Sequence, residues 1–547
     1  MSAIRGAIYG AAVMAAVSAL AGLSQARVYY PDDPIRIEPI TQDVVRAKDY
    51  EPDIYYDYLV NYAHHPGDPA TGQRARNVNT VDEVPDGPFF VNRAGRIPLT
   101  PEMVARAANT DDGPAPGPWT VISAKTQGVS TGFTMRDSQG TTWYLKFDPP
   151  GWLGMATGSE IIGAKLYWAL GYHVPEYHIV RFQPSVLTVS DRAEIKLPGE
   201  RKRRMRMRDI DRLLAPLDRQ PDGSYRAIAS KALPGTYVGR LRYDGTRKDD
   251  PNDIIPHEHR RELRGYKVFA AWLNNVDVWP GQSRVTVITE DGRTYLRTYL
   301  IDFGSILGSA GSKPREFWHG HDREVEGPGR IAERAVSFGL LVPHWRVMPF
   351  YQASAVGRLP QSEHEWDPED WEPLVSNAAF HHARADDKFW AAYKLTFINE
   401  NMVRAAVAEA QFPDAVAAEH VVRDIMARRA RILETYLPAV NPLVEPALGN
   451  DGVLRFRNAA VDFTRAPEPR GYRASWSAFD NETGRTTFIA VTESDGTAVP
   501  SPPLPPAGYL EVELSSVGAP RASWEQPLML HFRRTNGSWE LVGLHRM

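Results

Sequence analysis

The 547-residue chain contains no cysteine. Disulfide bonds, thiolate metal sites and cysteine nucleophiles are therefore excluded. The sequence also lacks an excess of basic residues, because 63 Lys and Arg stand against 67 Asp and Glu, for a formal net charge of −4. Generic nucleic-acid binding requires a basic field along one face of a protein. We therefore do not expect a nucleic-acid partner.

After residue 26 the sequence lacks a long hydrophobic run, but the first 26 residues contain one. Arg5 supplies a positive charge, Ala7 to Leu23 are uncharged and mostly apolar, and Ser24 to Ala26 offer small residues for cleavage. This pattern is typical of an export signal peptide. An uncleaved membrane anchor is the alternative, since the run approaches the roughly 18 residues that span a bilayer. We predict an exported bacterial protein, periplasmic or secreted, with no transmembrane span after cleavage.

The length and the composition, with 43% hydrophobic and 24% charged residues, indicate a globular protein of several domains. Residues 27–118 are rich in Pro, Asp and Gly, with brief helical periodicity at 53–65 and 100–108. We predict that this segment is an extension that wraps a later domain, because its aromatic residues favour burial.

Residues 119–233 are predicted to be rich in strands, with one good helix at 157–171. Thr157 or Ser159 is its candidate cap, and Gly171 its stop. A basic insertion at 196–214 is predicted to be a solvated surface helix, with an anionic partner as the alternative. The predicted strands are 119–125, 132–137, 141–147, 178–183 and 225–233.

Helices are predicted to dominate residues 234–440, and strands return in a small β domain at 441–547. The predicted fold class is therefore α+β. The candidate helices are 256–275 (with Pro256 near its first turn), 387–410 and 417–437. The candidate C-terminal strands are 453–458, 472–479, 486–494, 509–515, 528–534 and 539–545.

Gly128 to Gly132 match the G-x-S-x-G nucleophile elbow of hydrolases, with Ser130 as the serine. The elbow requires a helix after the serine. Here an alternating hairpin follows, which disfavours a hydrolase. The same glycines suit a loop between two strands of a nucleotide-binding unit, where backbone amides approach phosphates closely.

Three further groups of residues fit such a unit. A strand ends at Lys146 and the next helix carries Glu160, which could fix the lysine charge. Asp277 lies in a loop after a long helix, and Gln282 follows five residues later. A predicted hairpin at 284–301 then leads into Asp302-Phe303-Gly304. In phosphotransferases, a loop Asp accepts a hydroxyl proton, an amide residue five positions on holds metal, and a second Asp binds Mg²⁺.

The order and the spacing of these elements resemble those of the atypical branch of the protein-kinase-like fold, in particular HipA-like kinases and exported secretory-pathway kinases. The resemblance covers about residues 119–437. The resemblance implies a bilobal fold, with a β-rich N-lobe (119–233), a helical C-lobe (234–440), a hinge near 231–235, and ATP with Mg²⁺ in the cleft. It implies these roles: Gly128, Ser130, Gly132, Lys146 and Glu160 in the ATP site, Lys146 and Asp277 in catalysis, and Gln282 and Asp302 as metal ligands.

The expected function is phosphate transfer from ATP to a hydroxyl of an unidentified protein or small molecule. The chain departs from the kinase pattern in three ways: Gln282 replaces Asn, "NNVD" replaces His-Arg-Asp, and Ala-Pro-Glu does not occur. Two alternatives stay open. One is a catalytically degenerate binding or scaffold protein of the cell envelope, and the other is AMP transfer on the same fold.

Two more clusters carry candidate chemistry. The charged residues of 249–264 suggest a helix start stabilised by ion pairs, or else an acceptor or phosphate site at the cleft mouth. Two H-x-H pairs, 257/259 and 319/321, could bind zinc if the fold brought them together.

Overall fold

A computed structural model describes residues 27–51, 72–124, 130–196, 202–321, 336, 349–360 and 366–546. The export signal, the candidate helix at 53–65 and Gly128 lie outside these residues. Within them the chain forms nine helices and twenty strands in five sheets, which confirms the α+β class. The helices are α1 (Pro101–Arg106), α2 (Met155–Leu170), α3 (Met207–Leu214), α4 (Arg261–Trp272), α5 (Ala378–His381), α6 (Ala385–Thr396), α7 (Glu400–Glu409), α8 (Ala415–Tyr436) and α9 (Ala459–Phe463).

The largest sheet has seven strands in the order β4-β7-β3-β2-β1-β5-β6. Its strands are β1 (Trp119–Ala124), β2 (Gly132–Arg136), β3 (Thr142–Lys146), β4 (Tyr177–Phe182), β5 (Leu187–Lys196), β6 (Lys202–Arg204) and β7 (Tyr225–Lys231). Strands β1 and β5 are parallel, and the other pairs are antiparallel. All five strands expected in this region are present. Strands β5 and β6 were not predicted, because their charged and polar residues hide the alternation typical of a strand.

Helix α2 begins two residues before the predicted cap, with Gly154 as N-cap rather than Thr157 or Ser159. The reason is a capping carboxylate from outside the helix. Asp148, two residues after β3, accepts hydrogen bonds from the backbone amides of Gly154 (2.9 Å) and Thr157 (2.8 Å). The predicted stop is confirmed, because Gly171 is the C-cap and its amide donates to the carbonyls of Tyr167 and Trp168 in the last turn.

The basic insertion forms β6 and α3, apart from 197–201, which lie outside the described residues. Ile210 and Leu214 of α3 are buried against the sheet core, whereas Arg206, Arg208 and Arg212 are exposed. The prediction of a solvated surface helix is thus confirmed for α3, and the residues before it form a strand instead.

Residues 232–235 lead from β7 into a three-stranded sheet, ordered β10-β9-β8. It contains β8 (Thr236–Tyr237), β9 (Ser283–Glu290) and β10 (Arg293–Leu300). Strands β9 and β10 pair antiparallel along their whole length, which confirms the hairpin expected before Asp302. A two-stranded sheet of β11 (Phe350–Tyr351) and β12 (Leu359–Pro360) lies further along the chain.

The predicted helix at 256–275 is shorter than expected. Residues 257–259 form a single 3-10 turn, Arg260 is extended, and α4 starts at Arg261. The predicted helix at 387–410 is two helices, α6 and α7, because the Asn399 side chain accepts from the amide of Met402 (3.0 Å) and caps a new helix. The predicted helix at 417–437 is confirmed as α8.

The C-terminal region contains the six expected strands and two more. One sheet is β13 (Leu443–Leu448), β14 (Val453–Asn458) and β17 (Ala498–Pro500). The other, in the order β16-β15-β18-β19-β20, contains β15 (Gly471–Asp480), β16 (Arg485–Ser494), β18 (Tyr509–Val517), β19 (Leu528–Thr535) and β20 (Ser538–Arg546). Trp476 and Trp524 are both fully buried, as expected of large aromatic side chains.

The N-terminal extension packs on several later parts of the chain. Tyr29 contacts Phe479 and Val542 in the C-terminal sheet. Val44 packs against the three-stranded sheet, and Phe90 belongs to the largest core together with helices α2, α4 and α6. The extension is therefore part of the folded core rather than a linker. None of the described helices is both long and apolar enough to cross a membrane.

Candidate functional site

Lys146, Glu160 and Asp302 meet at one point. The ammonium of Lys146, at the end of β3, lies 2.8 Å from Glu160 Oε1 and 2.6 Å from Asp302 Oδ1. Glu160 comes from the second turn of α2, and Asp302 follows β10. The cluster thus joins the seven-stranded sheet, helix α2 and the three-stranded sheet through a single cation.

The three side chains differ in their exposure to solvent. The Glu160 side chain is 3% exposed, that of Lys146 20% and that of Asp302 42%. Burial alone would lower the pKa of Lys146, but the carboxylates of Asp302 and Glu160 raise it above its usual range. Lys146 is therefore a permanent cation held from behind by Glu160, and Asp302 is the group that a ligand from solvent can reach.

The turn at Asp302 is held by aromatic packing on α2. Asp302 has a left-handed backbone, with φ 61° and ψ 53°. Phe303 is buried, and its ring stacks on Tyr167 at a centroid distance of 5.1 Å. Gly163 makes this approach possible, because a Cβ there would lie 2.5 Å from Phe303 Cβ. A Cβ at Gly304 would lie 3.2 Å from Glu160 Oε2, so the turn passes close over the ion pair.

The described end of the glycine-containing loop, residues 130–132, leads into the same cluster. Gly132 lies directly opposite Lys146 in the β2/β3 register, and the amide of Phe147 donates to the carbonyl of Thr131 (3.1 Å). Ser130 is followed by strand β2 rather than a helix, so the serine is not on a nucleophile elbow. Gly128 lies in 125–129, outside the described residues.

Asp277 and Gln282 contact each other directly. The amide nitrogen of Gln282 donates to Asp277 Oδ2 at 2.7 Å, so the amide oxygen is the end of Gln282 that points away from Asp277. Arg315 Nη2 lies 3.8 Å from the same carboxylate oxygen. The carbonyl of Gln282 accepts from the amide of Ile301 (3.0 Å), which places Gln282 beside the residue that precedes Asp302.

The loop before Asp277 is tied to the Phe303 packing by a buried asparagine. Asn275 Nδ2 donates to the hydroxyls of Tyr266 (2.9 Å) and Tyr167 (3.3 Å). Because Tyr167 also stacks on Phe303, the Asp277 loop and the Asp302 turn share one support.

A buried ion pair lies behind the site and was not predicted from the sequence. Arg226 Nη1, on β7, lies 3.0 Å from Asp148 Oδ2, and both side chains are nearly inaccessible. Arg226 also donates to the carbonyl of Ala410 at the end of α7. The pair thus fixes the start of α2, and with it Glu160, to both the sheet and the helices. Asp148 stands only two residues after Lys146, but nothing in the sequence indicates its partners.

The charged cluster at 249–264 is occupied by internal ion pairs rather than an open acceptor site. Arg261 is fully buried and pairs with Asp386 (3.0 Å) and Asp387 (3.1 Å), and it also pairs with Asp82 of the extension. His257 Nε2 is bonded to Asp253 at 2.9 Å.

The four H-x-H histidines do not form a metal-binding group. Within the described ranges, one set of three side chains has the spacing of metal ligands, Asp111, Glu176 and His178. The ammonium of Lys231 lies 2.6 Å from Asp111 and 3.0 Å from Glu176, so a cation of the chain already pairs with both carboxylates of this set.

No protein-family model and no curated protein matches this chain. Its function must therefore be inferred from the geometry of the site.

Proposed function

We propose that the chain is an exported, atypical kinase-like enzyme that transfers phosphate from ATP to a hydroxyl group. In this proposal β1 to β7 with α2 form the N-lobe, and the helices after residue 256 form the C-lobe. The observation that carries the proposal is the position of Lys146 between Glu160 and Asp302. A lysine on a central strand, a helix glutamate and an acidic turn are the three parts that hold phosphates in kinases.

The donor types suit ATP with Mg²⁺. Asp302 and Gln282 would hold Mg²⁺, because both present oxygen ligands, which this hard cation prefers. Lys146 would lie against the ATP phosphates while Glu160 keeps its ammonium in place. Bound Mg²⁺ would neutralise phosphate charge.

Asp277 is the proposed general base. Its carboxylate is 22% exposed, and the Gln282 amide and the nearby Arg315 orient it. A carboxylate fixed in this way can accept the proton of an acceptor hydroxyl as the oxygen attacks phosphorus.

Product analysis distinguishes the proposed reaction from its alternatives. The purified protein is incubated with ATP, Mg²⁺ and an extract of cell-envelope components, and ADP and pyrophosphate are measured against an extract-only blank. We expect ADP, and we expect Asp277→Asn to lower its release at least about a hundredfold, the usual minimum contribution of a general base.

Asp291→Asn is the matched control, because Asp291 is exposed at the tip of the β9/β10 hairpin and outside the site. It should leave the rate unchanged. Pyrophosphate in place of ADP would show AMP transfer. ATP binding without either product would show the degenerate binding protein.

A further inference from the structure

Beside Asp277 the chain forms a small basic pocket of about 20 Å³. Three arginines and two histidines line it, with a single carboxylate, that of Glu316. Its lining residues include Asn274, Arg315, Glu316, His319, Arg358 and Arg428. They come from the loop after α4, residues 308–321, the segment around β12, and α8.

Arg315 connects the pocket to the proposed base. Its Nε donates to the carbonyl of Ser309 (3.2 Å), and its Nη2 lies 3.8 Å from Asp277 Oδ2. A ligand held by Arg315 is therefore within a few ångströms of Asp277.

The two other arginines add more positive charge than the carboxylates beside them remove. Arg358 Nη1 lies 3.8 Å from Glu316, which also accepts from Lys313 at 2.7 Å. Arg428 is buried, donates to the carbonyl of Ala271 (2.6 Å), and lies over the ring of Trp366. Among the described residues, Lys313, Arg315, Arg358 and Arg428 stand against Glu316, Asp277 and Asp424, whose carboxylate favours the charged form of Arg428, so one positive charge remains in excess.

His319 contributes a neutral polar group. Desolvation and the charge of Arg315 together lower its pKa to about 4, while Glu316 opposes the change. Its Nδ1 is buried and has no hydrogen-bond partner among the described residues. A buried polar atom of this kind is normally satisfied by a ligand or water.

We propose that this pocket binds a phosphate-type oxyanion carried by the acceptor and so directs the acceptor hydroxyl to Asp277. Arginine side chains match such an anion because their N–H groups form a planar fork. This inference rests on the proposed function, since Asp277 is the base. In the reaction the bond between the γ-phosphorus and the ADP oxygen breaks, and a bond to the acceptor oxygen forms. The hydroxyl proton passes to Asp277, and ADP leaves.

The first test is calorimetric titration of the purified protein with inorganic phosphate. Arg358→Gln should weaken binding at least about tenfold, the value of one charge-assisted hydrogen bond. Arg455→Gln, which removes an exposed arginine paired with Asp451 on β14, should change nothing. Equal binding of phosphate by Arg358→Gln and the unmodified protein would overturn the proposal.

The second test separates an acceptor-borne group from free phosphate by titrating glycerol phosphate, a monoester that carries hydroxyls. Binding at least as tight as that of inorganic phosphate, with the same loss in Arg358→Gln, is expected. Exclusion of the monoester would overturn the acceptor role and indicate a free anion. Stabilisation by ATP and Mg²⁺ should persist in Arg358→Gln, so failure of the pocket is distinguishable from failure of the nucleotide site.

Discussion

At the scale of single residues, the site combines close neighbours in the chain, such as Asp277 and Gln282, with Asp302, which pairs with the distant Lys146. Lys146, Glu160 and Asp302 could be selected from the sequence because each stands at the end or start of a recognisable strand or helix. Asp148 could not, because its role depends on Arg226 and on the start of α2. A residue that stabilises a group in another element leaves no periodic signal in the chain.

The half-buried His173 should make the protein sensitive to acid. Desolvation and the charge of Arg297 together lower the pKa of His173 to about 3, although the hydrogen bond to the Gly87 carbonyl opposes the change. Since the unfolded chain binds a proton near pH 6.5 and the folded chain does not, stability is full above that pH and falls as the pH decreases toward 3. The slope is about 1.4 kcal/mol per pH unit for one histidine.

The comparison is urea unfolding of the unmodified protein and His173→Gln between pH 7.5 and 4.5. We expect the variant to lose less stability on acidification, by up to about 1.4 kcal/mol per pH unit below 6.5. Above pH 7 the two proteins should show the same pH slope. Identical slopes below pH 6 would contradict a neutral His173.

At the scale of elements, the strands and helices with clear alternation or periodicity lie where the sequence predicts them. Helix boundaries that are set by capping side chains do not. Six of the eight C-terminal strands and α8 are where the pattern places them. The start of α2 is displaced by the Asp148 carboxylate, and the break before α7 follows from one asparagine cap. Capping groups decide helix ends within a turn, and hydrophobic periodicity is insensitive to them.

The Asp148–Arg226 pair should be a main determinant of the position of α2. Asp148→Asn leaves the Arg226 guanidinium buried without its anion, and we expect the free energy of unfolding to fall by about 3 kcal/mol or more. Urea unfolding measures this. Adding Arg226→Met should recover part of the loss, because the uncompensated charge is then removed. A loss below about 1 kcal/mol, or full additivity of the two changes, would contradict the role of the pair.

At the scale of the whole molecule, the N-terminal extension is attached by buried charges as well as by apolar contacts. Asp82 of the extension accepts from Arg74 and from Arg261 of α4, and Arg261 also reaches the first turn of α6. The sequence showed a charged helix start but not these connections, because ion pairs between distant segments depend on the completed fold. For the same reason the basic pocket beside Asp277 could not be predicted from the sequence.

Arg261→Met tests this attachment. It leaves buried carboxylates of the extension and of α6 without a main partner, so the free energy of unfolding should fall by about 3–5 kcal/mol. The matched control is Arg404→Met, an arginine 44% exposed that pairs with Glu400 and Glu419. It should change the free energy of unfolding far less, because solvent screens an exposed ion pair. Equal effects of the two substitutions in urea unfolding would show that the buried network is not a major contribution.

The most direct measurement is the thermal stability of the purified protein with ATP, with and without Mg²⁺, beside Asp302→Asn and the control Asp291→Asn. At a hundred times the dissociation constant, ATP with Mg²⁺ should stabilise the fold by about 2.7 kcal/mol, a shift of a few degrees. We expect this shift in the unmodified protein and in Asp291→Asn. It should vanish in Asp302→Asn, where Lys146 keeps Glu160 but the metal ligand is lost. The absence of any Mg²⁺-dependent shift at millimolar ATP, or an unchanged shift in Asp302→Asn, would contradict a nucleotide site at Lys146, Glu160 and Asp302.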